Sequence, residues 1–155
     1  MRKYDISLHK LRLFSLIAWM ISLVYIVLIS IILDRAALEW RVNFLPQSTA
    51  IAVRCDLVQR FLAVPIFGFF LGVFVMTSFP HAYSRFSWHF QLLFVIAGIT
   101  MVLVGVGYCY CGLSLDIPTG KIPYLLWKNP WFAILWWILS GGCLSSVLFV
   151  LKAKG

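Results

Sequence analysis

Residues 90–115 read FQLLFVIAGITMVLVGVGYCYCGLSL, 26 positions without an Asp, Glu, Lys, Arg or His. A helix rising 1.5 Å per residue needs roughly 20 apolar residues to cross about 30 Å of hydrocarbon, so this stretch is long enough to span a bilayer. A core helix of a water-soluble protein would show a polar face, and this one does not. Within it Gly98, Gly105 and Gly112 recur at intervals of seven. Lipid tails give helices no hydrophobic reason to associate, so small residues that permit close backbone approach mark the contact faces. A stripe repeating every seven residues is the seam of a left-handed crossing at roughly +20°.

Working outward, three more stretches lack charge: Leu13 to Leu33 (21 residues), Phe61 to Pro80 (20) and Asn129 to Leu151 (23). Of the 155 residues 63% are hydrophobic and 12% charged, whereas soluble domains sit nearer 45–50% and about 25%. A soluble core of this length could not hide that much apolar surface. The reading is an all-α integral membrane protein, a four-transmembrane-helix bundle in one domain over residues 1–155. Its spans fall at about 13–33, 61–80, 90–113 and 130–151, and its external loops at 34–60 and 114–129. The first span could pass for a signal peptide. Its core is too long for a typical h-region and no small-x-small cleavage pattern follows Leu33, so it is expected to stay as a signal anchor.

The net charge of +8 would suggest nucleic acid in a soluble protein, but here the basic residues sit in the loops and at the two ends, where they fix topology and meet anionic head groups. Nucleic acid is therefore not an expected partner, and membrane lipid is. One side of the membrane holds Arg2, Lys3, Lys10, Arg12, Arg85, Lys152 and Lys154, and the other Arg35, Arg41, Arg54, Arg60, Lys121 and Lys128. Seven against six is nearly even. The positive-inside rule weighs the short segments that touch the membrane, which places both termini in the cytoplasm.

In the first external loop Pro46-Gln47-Ser48 reads as a break and a helix N-cap. Ile51, Cys55, Val58 and Leu62 then recur at helical spacing, with Asp56 and Arg60 set for an i,i+4 pair. The second helix is thus expected to begin before the membrane. The upstream segment from Ala37 to Phe44, with Trp40, Arg41 and Phe44 as a candidate partner face, suits a stretch lying in the interface. Tyr124, Trp127, Trp131, Trp136 and Trp137 form an aromatic belt at the outer end of the fourth span.

Every span carries small residues for packing. The second has Gly68 and Gly72 as a GxxxG, which could serve packing within the chain or a homodimer. The fourth has Ser140-Gly141-Gly142-Cys143, of which Gly142 is a candidate contact, and the first shows Ser15, Ala18, Ser22 and Tyr25 on one face. A compact bundle is the expectation.

The four cysteines are Cys55 just outside the second span, Cys109 and Cys111 at the outer end of the third, and Cys143 mid-membrane. Residues two apart on a helix point about 200° apart, so Cys109 and Cys111 do not readily pair with each other. Either could meet Cys55 as a disulfide on an oxidising side, and free thiols are the alternative. Thiol-redox sites display CxxC so that one thiolate attacks and its neighbour resolves; the closest spacing here is CxC. A metal on Cys109 and Cys111 would need two further ligands, for which only Cys55 and Asp116 are near. No Asp, Glu, Lys or Arg lies inside a span, and His9, His81 and His89 all lie outside them. Proton relays and ion pathways rest on such groups. No catalytic residue, cofactor or metal site is therefore predicted, and the expected action is non-enzymatic. A thiol-redox or lipid-modifying enzyme using Cys55, Cys109 and Cys111 is one alternative, and an oligomeric channel lined by the serines is another.

In layout the chain resembles four-span immunity proteins against pore-forming colicins. The shared features are a short basic N-terminal segment, a long first external loop with a cysteine before the second span (Cys55), a cysteine at the outer end of the third (Cys109 or Cys111), and a basic tail (Lys152, Lys154). The resemblance implies a protein of the bacterial inner membrane that binds a membrane-inserting toxin within the bilayer. The broader expectation is contact with another membrane protein, as a protective protein or a small accessory subunit.

Overall fold

The apolar stretches fold as helices in the computed structural model, which describes residues 2–43, 54–79, 87–113 and 129–147, with side chains from residue 8 to 35 in the first segment. In chain order the helices are α1 (Arg2–Asn43), α2 (Arg54–Ser78), α3 (Trp88–Leu113) and α4 (Pro130–Ser145). No strand occurs among the described residues. Leu8–Arg35 of α1, α2 and α3 are each long and apolar enough to cross a membrane, while α4 has 16 residues. Residues 148–151, over which the fourth span was expected to continue, lie outside the described residues.

Two boundaries differ from the sequence reading. First, α1 does not end at Leu33; it runs unbroken for 42 residues to Asn43. Asp34, Arg35 and Glu39 are ordinary helix formers once a helix is nucleated, and no Gly or Pro interrupts the run. Trp40 and Arg41 are thus on the backbone of α1, whereas Phe44 and the Ser48 cap lie outside the described residues. Second, α2 is not regular. It widens to a π-turn at Gln59–Ala63, closed by the Val64 N–H donating to the carbonyl of Gln59 five residues back. Pro65 supplies the cause: it has no N–H to donate, and its ring clashes with the carbonyl four residues earlier. The early start of α2 agrees with expectation, with Arg60 paired to Asp56 at 3.5 Å.

At the start of α4, Asn129 caps the helix. Its Oδ1 accepts from the N–H of Trp131 at 3.1 Å and of Phe132 at 3.4 Å, and Pro130 fills the first helical position where no N–H is needed.

The helices pack in the spatial order α1–α2–α4–α3. The α2–α4 interface is the most extensive, α1 packs chiefly on α2, and α3 packs on α4 and on the π-turn. The arrangement is therefore a row that closes where the π-turn reaches α3. The buried positions explain the order. On α1 they are Ser15, Ser22 and Ile29, a stripe of period seven, and on α3 Gln91, Gly98, Gly105 and Gly112 at the same period, with Tyr108 beside them. A narrow stripe serves one neighbour. On α2 and α4 burial is broader, including Pro65, Gly68, Gly72, Val73 and Thr77 on the former and Ala133, Trp137, Ser140, Gly141 and Ser145 on the latter. Two-sided burial puts these helices in the middle of the row.

Candidate functional site

The tightest contact is backbone against backbone where α2 crosses α4. A Cβ on Gly68 would stand 2.7 Å from Trp137 Cβ and 3.0 Å from the Ile134 oxygen. One on Gly72 would lie 2.9 Å from the Gly142 nitrogen and would overlap the Ile138 oxygen. From the other side, a Cβ on Gly141 would overlap the Phe69 oxygen. The GxxxG thus lies against α4 of the same chain. Gly142, singled out from sequence, is not pressed: a Cβ there would meet only the Gly72 oxygen, at an ordinary 3.7 Å. Its neighbour Gly141 holds the contact, and a Gly-Gly pair leaves the facing member undecided until the phase of the helix is known.

On α3 the seven-residue stripe faces two partners. Gly98 approaches the α4 backbone, with Leu144 N at 2.6 Å from a would-be Cβ, and Gly105 lies under the Trp137 ring at 2.6 Å. Gly112 lies under the Phe61 ring of α2. The Trp136 indole N–H donates to the Met101 carbonyl at 3.0 Å, tying α4 to α3. Gly107, off the stripe, has open space around it.

At the end of the row where α4 begins, Phe61, Tyr108 and Ala133 form a buried cluster, with Leu57, Cys109, Phe132 and Trp136 packed around it. The Phe61 and Tyr108 rings are 5.1 Å apart. The π-turn makes this possible by turning Phe61 toward α3, while Gln59 donates from its amide to the Ser30 hydroxyl of α1 at 3.0 Å. Neither role was anticipated, and Pro65 four residues after Phe61 was the available signal.

Between α1 and α2 aromatic side chains make the ring contacts. Phe14 packs edge-on to Phe70 at 5.5 Å, and Trp19 stands between Phe67 at 6.1 Å and Phe74 at 6.2 Å. The outward faces of α1 remain exposed, including Leu13, Ile17, Ile21, Val24, Leu28 and Ile31.

The hydroxyls along the spans are engaged by their own helices. Ser15 donates to the Leu11 carbonyl at 2.8 Å, Ser22 to Ala18 at 2.8 Å, Thr77 to Val73 at 2.8 Å, Ser140 to Trp137 at 2.9 Å and Ser145 to Gly142 at 2.8 Å. Ser146 donates to the Cys143 carbonyl. Back-bonded hydroxyls present little donor capacity to a pore.

All four cysteines are free thiols, each half-buried. Cys109 belongs to the Phe61–Tyr108 cluster, and Cys143 lines an apolar cavity of about 240 Å³ with Gly72, Met76, Phe94 and Ile138. A second apolar cavity of about 320 Å³ opens between α1 and α2 beside Ser22, Tyr25 and Val58. A third, of about 210 Å³, lies at the opposite end between Leu8, His9, Arg12 and Thr77. Among the described residues no three His, Cys, Asp or Glu come together as a metal site would require. The chain matches no family model, and no curated protein or solved structure is significantly similar to it.

Proposed function

We propose that the protein crosses the membrane four times with both termini in the cytoplasm and works without catalysis, through contact with another membrane protein inside the bilayer. The observation that carries this reading is the unequal use of α1. One narrow stripe holds it to α2, and most of its apolar surface is left to lipid or to a partner helix. Helix pairing in lipid needs matching surfaces and no catalytic group. On this reading the protein is an immunity-type protective protein against a membrane-inserting toxin, or a small accessory subunit, in a bacterial inner membrane. Homodimerisation uses the same faces less well, because the GxxxG is already occupied by α4.

The test is purification from the native membrane in mild detergent followed by native mass spectrometry. A stoichiometric protein partner is the expected result. A homo-oligomer, or a monomer carrying a quinone or other small molecule, turns the reading toward a channel or a redox enzyme. Serine replacement of Cys55, Cys109 and Cys111 then separates these. A thiol enzyme loses all activity, whereas a contact protein keeps its function and loses stability at most.

A further inference from the structure

The cavity between Leu8, His9, Arg12 and Thr77 sits where the uncharged run of α1 begins and α2 ends. Its volume of about 210 Å³ equals that of roughly seven liquid water molecules, enough for a phosphate group. Arg12 is the last charge before 21 uncharged residues, so its guanidinium stands at head-group depth when α1 spans a bilayer. Among the described residues Arg12 has no acidic partner, the ion pair there being Arg60 to Asp56 at the other end of the molecule. The nearest acid in sequence is Asp5, one turn before His9 and two before Arg12. Thr77 is buried and its hydroxyl is directed to the Val73 and Phe74 carbonyls, at 2.8 and 3.1 Å. With that hydrogen spent on its own helix, Thr77 forms a wall, which leaves His9 and Arg12 as the donors to the cavity.

We propose that this cavity binds the phosphate of an anionic membrane phospholipid, held by Arg12 and His9. The inference rests on the membrane reading of α1 and is independent of any protein partner. A partial negative charge at the C-terminus of α2, about half an elementary charge, opposes an anion there. A full guanidinium at contact, lined up with a phosphodiester in a region of reduced dielectric, outweighs it. The competing role for Arg12 is to neutralise that helix end and bind nothing.

The experiment uses the full chain in mild detergent, titrated with phosphatidylglycerol or with phosphatidylcholine of the same acyl chains and read by native mass spectrometry. One phosphatidylglycerol is expected to bind in preference to phosphatidylcholine. Arg12→Gln should weaken it about tenfold and His9→Gln less, as loss of a charge-assisted contact predicts. Lys10→Gln, whose side chain does not line the cavity, should leave it unchanged. Equal weakening by Lys10→Gln and Arg12→Gln overturns the proposal, because charge alone would then explain the attraction. So does equal binding of the two lipids, or loss of thermal stability in Arg12→Gln with lipid binding intact. Millimolar inorganic phosphate displacing the lipid would assign the site to a soluble phosphate and overturn the lipid assignment. Should Arg12→Gln fail to fold, the His9→Gln and Lys10→Gln pair decides.

Discussion

The α2–α4 crossing and the α1–α2 contact are both helix pairs in the same solvent, yet they are built on opposite principles. In the first, glycine brings backbone to backbone so closely that neither side can yield. In the second, aromatic rings pack beside a buried serine stripe, and an amide–hydroxyl bond runs from Gln59 to Ser30. Where lipid supplies no hydrophobic drive, dispersion decides the strength of association, and it falls steeply with separation. The α2–α4 crossing is thus the tightest seam of the row, with α1 and α3 packed on either side of it.

Substitutions can break this contrast. The largest effect is expected from Gly72→Ala and Gly141→Ala, each of which forces a methyl onto a backbone oxygen with no rotamer to relieve it. Each should cost about 3 kcal/mol, the upper range for overpacking, read as a lower midpoint of thermal unfolding in detergent. Gly105→Ala meets the edge of the buried Trp137 ring, a side chain where the others meet backbone, so a smaller cost of about 2 kcal/mol is expected from the same scan. If Gly105→Ala proved as damaging as Gly72→Ala, the α3 seam would rank with the α2–α4 crossing. Gln59→Leu removes the bond from α2 to α1 and should cost about 0.6 kcal/mol, with faster hydrogen exchange in α1 than in α4. Smallest, and opposite in sign, are Gly142→Ala and Gly107→Ala. Both positions accept a methyl, and helix propensity should then stabilise each by up to about 1 kcal/mol.

Much of the fold was legible in the sequence because helices long and apolar enough to cross a membrane leave a coarse signature in uncharged runs of fixed length. The period-seven glycines of α3 could be read as a contact stripe since their spacing alone sets the face they share. What each stripe would touch was not legible: Gly98 and Gly105 meet α4 while Gly112 meets α2, a division that depends on how α2 bends. The choice between Gly141 and Gly142 depended on rotation of α4, which two adjacent glycines do not specify. The end of the first helix was not legible because the charged residues after Leu33 mark only the end of its apolar part, and the helix runs on to Asn43. The aromatic belt was expected to anchor the outer interface, and Trp136 and Trp137 turned out to be inside, one bonded to α3 and the other wedged between α2 and α3.

The length of α1 has a mechanical consequence. Forty-two residues at 1.5 Å each make a rod of roughly 63 Å, against about 40–45 Å for a whole bilayer with its head groups. On the membrane reading, such a rod reaches clear of the lipid at both ends, or at one end by a large margin. No proline or glycine along it offers a hinge or break. On that reading a single stiff element links the two faces of the membrane.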